Sequence, residues 1–266
     1  MDARTLGIDL AKNLFRVHGV DAKGRTVVTR QLRRRQVLRL MAQLAPCLVG
    51  MEACGGAHHW AREIAKLGHE VKLMSPRFVR PYVKSNKNDA RDAEAICEAV
   101  GRRSMRFVAI KTQTQQAVLA LHRVRALLIR ERTALKNQMR GLLAECGIVV
   151  AQGAARLRRA LAEILGDRDN AAGDILREAL VEMSERLCSF ERRLRRCDQR
   201  IGALARGDNQ AGRLMKVPGV GPLIATALVA TVGNARQFKS GRELSAWLGA
   251  RPARAFQWRT HGAARD

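Results

Sequence analysis

Gly7-Ile8-Asp9-Leu10-Ala11-Lys12 and Leu48-Val49-Gly50-Met51-Glu52 are the two stretches on which the fold turns. Each carries a β-prone apolar run into a single acid, Asp9 in one and Glu52 in the other. Working outward, Thr5 to Leu10 reads as a first strand and Leu14 to Val20 as a second. Asp21-Ala22-Lys23-Gly24 supplies a turn, and Arg25 to Leu32 returns as a third antiparallel strand. Val37, Leu38, Met41 and Leu44 then share one face of a helix over about 34–44. Cys47 to Met51 is a buried-looking strand that ends at Glu52. Helix signals over 57–67, a strand from Glu70 to Met74, a short helix from Ser75-Pro76 and a helix from Asp89 to Gly101 complete the series.

The order β-β-β-α-β-α-β-α predicts an α/β domain with a mixed sheet flanked by helices. Strand spacing alone fits several such folds, and the acids select the RNase H-like one. There the first and fourth strands lie side by side and parallel, so Asp9 and Glu52 should meet at their tips. Asp89 and Asp92 are three apart on a helix and project from one face. Four carboxylates in one place repel one another and hold on to protons. Two Mg²⁺ ions, roughly 3.5–4 Å apart, would relieve that and suit in-line phosphoryl displacement. Structural roles remain open for each acid alone: Asp89 as a helix N-cap, Asp92 on the helix dipole, Asp9 as a strand-end turn residue.

Charge supplies the context. Lys and Arg outnumber Asp and Glu 49 to 24, a net charge of +25 spread along 266 residues. Such an excess points to a polyanion partner, with a basic ribosomal or membrane-surface protein as the bland alternative. Aromatics are 4% of the chain, too few for a base-stacking platform, so phosphate contacts should dominate affinity. The six cysteines form no C-x-x-C pair and read as reduced thiols. No apolar run approaches the ~18 residues of a membrane span, and the N-terminus runs straight into strand pattern, so a cytoplasmic location is expected.

Beyond the sheet domain, Leu176, Leu180, Met183, Leu187, Phe190, Leu194, Cys197, Ile201 and Leu204 alternate steps of four and three without a break. A weaker series runs through Ala117, Leu121, Val124, Leu128, Leu135 and Leu142. Two long helices joined around Gly147 to Gly173 follow, as a helical hairpin within one chain or a contact between chains. Pro218-Gly219-Val220-Gly221-Pro222 between apolar helices has the form of a helix-hairpin-helix. Its glycines let backbone amides approach phosphate, and the next helix, from Leu223 to Val232, adds its N-terminus. A plain interhelical turn is the other reading. The runs Arg33-Arg34-Arg35 and Arg192-Arg193 read as solvated faces with diffuse phosphate affinity. His58-His59 reads as helix-start packing.

Three motifs together resemble a known family: Gly7 to Lys12, Met51-Glu52-Ala53-Cys54-Gly55, and Asn86-Lys87-Asn88-Asp89-Ala90-Arg91-Asp92-Ala93. They are similar to the DEDD transposases of insertion sequences related to the Piv DNA invertase, insertion-sequence family one-ten. The likeness extends to Lys216 to Ala227, Phe238-Lys239 and Leu244-Ser245-Ala246-Trp247-Leu248-Gly249. It implies an RNase H/RuvC-like catalytic domain over 1–110, a helical coiled-coil segment over 111–209 and a transposase C-terminal domain over 210–266. It also implies Mg²⁺, a dimer or tetramer assembled through the coiled coil, and DNA recombination guided by an element-encoded RNA. Asp9, Glu52, Asp89 and Asp92 fall on the family's metal-binding catalytic acids. Lys12, Lys87, Arg91, Lys216, Gly219, Val220 and Gly221 are the expected DNA contacts.

The chain departs from that pattern near its end. The family continues with Pro-Arg-x-x-Ser-Ser-Gly-Gly, which holds a nucleophilic serine. Here Ala250-Arg251-Pro252-Ala253-Arg254-Ala255 follows instead, and Ser240 and Ser245 do not occupy the nucleophile's position. A frameshift near Ala250 and a shortened product with impaired recombination are therefore expected. The alternatives are a metal-dependent nuclease or junction resolvase in which water attacks, and a non-catalytic DNA-binding remnant.

Overall fold

The structure is a computed structural model that describes residues 2–82, 89–167 and 169–249. The chain divides into a unit of residues 1–233 and a second of residues 234–266.

The first unit opens with β1 (Thr5–Asp9), β2 (Leu14–Val20) and β3 (Thr26–Arg33), each antiparallel to the next. Then come α1 (Val37–Gln43), β4 (Leu48–Glu52), α2 (Ala57–Ala65), β5 (Glu70–Met74), α3 (Pro76–Val79) and α4 (Asp89–Val100). The expected order is thus observed, with one addition. Phe107–Val108 forms β6, an antiparallel edge strand on β5, and completes a six-stranded sheet of order β3-β2-β1-β4-β5-β6. Two residues are too few for alternation to show in a sequence.

Alternation along β1 decides what lies on each side. Leu6 and Ile8 are buried with Val37, Leu40 and Met41 of α1 and Trp60, Ala61 and Ile64 of α2. Gly7 turns to the other face, where α4 lies directly on the sheet. A β-carbon on Gly7 would fall 2.9 Å from Cys97 Cα and nearer still to the Ala93 carbonyl. One on Gly50 of β4 would fall 2.7 Å from Val100 Cβ. These two glycines let the helix backbone approach strands β1 and β4. Ile96, Ala99 and Val100 join Met74 and Val79 in a small core on this side.

The helical part begins with α5 (Gln113–Glu145), started by a reciprocal cap in which the Gln115 amide donates to Thr112 Oγ1 at 3.1 Å and the Thr112 amide to Gln115 Oε1 at 2.9 Å. The connection expected between two long helices holds a third, α6 (Ala154–Gly166), ahead of α7 (Asp174–Gly207). Leu157, Leu161 and Ile164 are spaced as one apolar face and close the core over Leu135, Met139 and Leu143 of α5 and Leu180 and Leu187 of α7. Arg125 pairs with Asp198, so α5 and α7 run antiparallel. The repeat in α7 is spent inside the chain: Leu187, Phe190, Leu194 and Cys197 are buried against these neighbours. Within the chain α5 and α7 pack as a helical hairpin.

Next, α8 (Asn209–Leu214) and α9 (Pro222–Val232) pack on this hairpin through Ala205, Ala211 and Ala225, and His122 lies 3.0 Å from the Thr226 hydroxyl. In the second unit Ser240 caps α10 (Gly241–Trp247), accepting the Glu243 amide at 3.3 Å, and Phe238 meets Trp247 edge-on at 5.5 Å. Residues 250–266, where the departure from the family pattern falls, lie outside the described residues.

All six cysteines are free, with Cys47, Cys97 and Cys197 buried. Burial pushes the Cys47 and Cys97 thiols up to about 11, which leaves them inert. Among the described residues no helix is long and apolar enough to cross a membrane.

Candidate active site

β1 and β4 are parallel neighbours with Ile8 opposite Met51, so Asp9 and Glu52 emerge side by side at the strand tips. By alternation both lie on the face covered by α4. The loop after Glu52 is tightly tied. The Ala53 amide donates to the Met74 carbonyl at 2.7 Å and the Cys54 amide to the Glu52 carbonyl at 2.9 Å. Gly56, at φ +87°, then turns the chain into α2.

Asp92 comes from the first turns of α4, one residue before the Ala93 carbonyl that rests on Gly7. Three acids thereby share one region, and their electrostatics record it. The Glu52 carboxyl is held above the usual range, first by partial burial and then by the charges of Asp9 and Asp92. Asp89 is the first residue of α4, but its side chain lies outside the described residues, as does Lys87. Among the described residues no three acidic, histidine or cysteine side chains gather closely enough to form a ready-made metal cage. The arrangement is an open rim of hard oxygen donors, the donor type that divalent ions of the Mg²⁺ kind take.

Two residues at this rim were not singled out from sequence. Arg16 pairs across β2 directly with Asp9, placing a cation beside the acid. Counting back through the hairpin register would have found it. Cys54 is close enough to the acids that its thiol is raised by burial, then by Glu52 and by Asp9.

The expected DNA contacts are dispersed. Lys12 is exposed in the loop after β1, and Arg91 is exposed on α4 next to Asp92. Lys216, Gly219 and Gly221 are exposed between α8 and α9, with Gly219 at φ +84° making the turn. The Val220 amide donates to the Val217 carbonyl at 3.0 Å, so Val220 closes the turn with its own amide. His58 accepts the Lys111 amide at Nδ1, 3.2 Å away, and joins α2 to the segment before α5. His59 is exposed, with its ring 5.6 Å from Trp60.

Comparison with known proteins bears on the same elements. Residues 6–148 match a family model described as a transposase of the DEDD, IS110 type, and residues 211–255 match one described as transposase IS116/IS110/IS902 family. A probable family 20 transposase of Pseudomonas aeruginosa is 48% identical over 253 residues, 95% of this chain and 75% of the relative. A putative transposase of Sinorhizobium fredii is 42% identical over 93% of this chain and 63% of its own length. The transposase for insertion sequence element IS1111A of Coxiella burnetii is 41% identical over 94% of this chain and 69% of its own length. The chain thus spans about two thirds to three quarters of these relatives.

Proposed function

The chain belongs to the IS110 family of insertion-sequence transposases, and from that premise we propose that Asp9, Glu52 and Asp92, with Asp89, form its DNA-cleaving centre. One observation carries the proposal: three carboxylates share a site in a chain of net charge +25, and two of them raise the proton affinity of Glu52. A structural role does not call for such repulsion. A divalent ion, Mg²⁺ by hardness and size, would be held by these oxygens and would supply charge neutralisation at a scissile phosphate. Asp9 and Glu52 fix the rim from two strands, Asp92 completes it from α4, and Arg16 keeps Asp9 oriented. Lys12 and Arg91 would hold the flanking phosphates, and Lys216 with the Gly219–Gly221 turn would offer a second backbone contact. A guide RNA, implied by the family resemblance, would use the same cationic surface. Assembly of copies through the helical hairpin would use exposed apolar residues such as Leu127 and Val181, since most of the α7 seam is occupied within the chain.

The test is strand nicking of a DNA duplex in Mg²⁺, compared with EDTA, for the chain and for Asp9→Asn and Glu52→Gln. Each variant should lose at least ~100-fold in rate, and the double variant little more, as expected for residues that act as one unit. Mg²⁺ should also raise the melting temperature of the parent chain but not of Asp9→Asn. Nicking that survives both substitutions would remove the acids from the mechanism. A covalent protein–DNA adduct would identify a protein nucleophile, and its absence would identify water.

A further inference from the structure

Arg34 is exposed, yet its head group is held against two aromatic rings. Its guanidinium lies 5.0 Å from the ring centroid of Trp60 and 6.0 Å from that of Phe15, two rings packed edge-on at 4.9 Å. Trp60 is only 5% exposed, packed in the core with Arg34 over its ring. Beside this stack is a cavity of about 520 Å³, within the ~300–1,000 Å³ usual for small-ligand sites. Arg33, Arg34 and Arg35 supply its cationic rim; Leu14, Leu38 and Trp60 supply apolar surface. Among the described residues no carboxylate lines it.

Its place in the sheet matters. Leu14 opens β2 and pairs with Arg33 at the end of β3, and two residues along β2 Arg16 pairs with Asp9. The cavity therefore opens at the same end of the sheet as the acids, about two strand spacings or ~10 Å to the side, and toward the opposite face, the one that carries α1 and α2.

We propose that this cavity seats one nucleotide of a single strand whose neighbouring phosphates run across the strand tips to the acidic rim. Arg33 and Arg35 take the phosphates. The face of the Arg34 guanidinium turned away from Trp60 takes the base, against Leu14 and Leu38. A bare phosphate would need no apolar wall, and a duplex could not bring a base into the cavity. Sequence reading passed over the site because consecutive arginines give no sign that one of them is pinned to a ring contributed by α2. The proposal rests on the acidic rim being the cleavage centre for its direction along the strand, but not for binding.

The experiment is fluorescence-anisotropy binding of the full chain to twelve-nucleotide single strands of DNA and of RNA, and to duplex DNA, in EDTA over a range of salt. Arg33→Ala with Arg35→Ala should weaken single-strand binding at least tenfold and flatten the salt slope by about 1.4, the loss of two phosphate contacts at ~0.7 each. Arg34→Lys, which keeps the charge, should weaken single-strand binding several-fold with the slope unchanged. The DNA and RNA arms show which strand the cavity takes. The control is Arg192→Ala with Arg193→Ala on the exposed face of α7. Equal losses from the control pair, or losses confined to duplex, overturn the proposal. Should the variants melt early, the unaltered chain is photocrosslinked to a strand carrying iodouracil. Adducts at residues 33–38 or 59–60 support the cavity, and adducts only elsewhere overturn it. Because cleavage is not measured, persistence of nicking in Asp9→Asn would defeat the acidic-rim reading and leave this result standing.

Discussion

Glu52 and His58 are six residues apart, yet partial burial moves their protons in opposite directions. Glu52 keeps its proton longer, while His58 is depressed to about 4 by burial, then by the Lys111 and Arg62 charges. The hydrogen bond agrees: the Lys111 amide donates to Nδ1, so that nitrogen must be bare. Unfolded, His58 takes up a proton near its ordinary value of 6.5, so between there and about 4 the unfolded chain binds more protons. Its contribution to stability is complete above pH 6.5 and is lost as pH falls through 4. After discounting for solvent screening the effect is on the order of 1–2 kcal/mol. His58→Asn, whose carbonyl can accept the same amide, should flatten this part of the dependence. Melting temperatures between pH 7 and 4 check it, and parallel curves for both proteins would count against it. The charges on Lys111 and Arg62 come from residues distant from His58 in sequence or on another turn of α2, so the shift could not be read from His58-His59.

At the scale of elements, the contact between α4 and β1 positions the site. The acid on α4 reaches those on the sheet because Gly7 and Gly50 have no β-carbons to hold the helix away. Gly7→Ala should therefore cost about 1–3 kcal/mol by overpacking against a helix backbone that cannot turn aside, and should reduce nicking by displacing Asp92. Gly55→Ala, with open space around its β-carbon, is the matched control and should change neither. Urea unfolding together with the nicking assay separates the two. Strands β1 to β5 were legible because each is bounded by turn residues and carries five or more residues of pattern. β6 was not, because its existence depends on β5 offering an open edge. α6 lies between glycine-bounded turns within 147–173, and only Leu157, Leu161 and Ile164 carry its helical period.

Across the whole molecule, the sheet and the helical hairpin have separate apolar cores, and both lie within residues 1–233. A fragment 1–233 should accordingly keep the melting temperature of the full chain to within a few degrees and retain its helical circular dichroism. A collapse of that transition would show that the division after Gly233 is not a folding boundary. The charge of +25 belongs to this scale as well. It favours a polyanion partner without saying where the polyanion lies, since many of the described arginines are exposed on helix faces that any phosphate backbone could follow.

Pattern along the chain determined the order of strands and helices, the placing of two acids at the ends of apolar runs, and a basic surface, because these depend on neighbours in sequence and on the period of each element. Only the folded chain decided that the repeat of α7 is satisfied from within, that Arg16 stands opposite Asp9, and that Arg34 lies on Trp60. Those depend on strand register and on which helix packs on which face, relations between distant residues that no local pattern encodes.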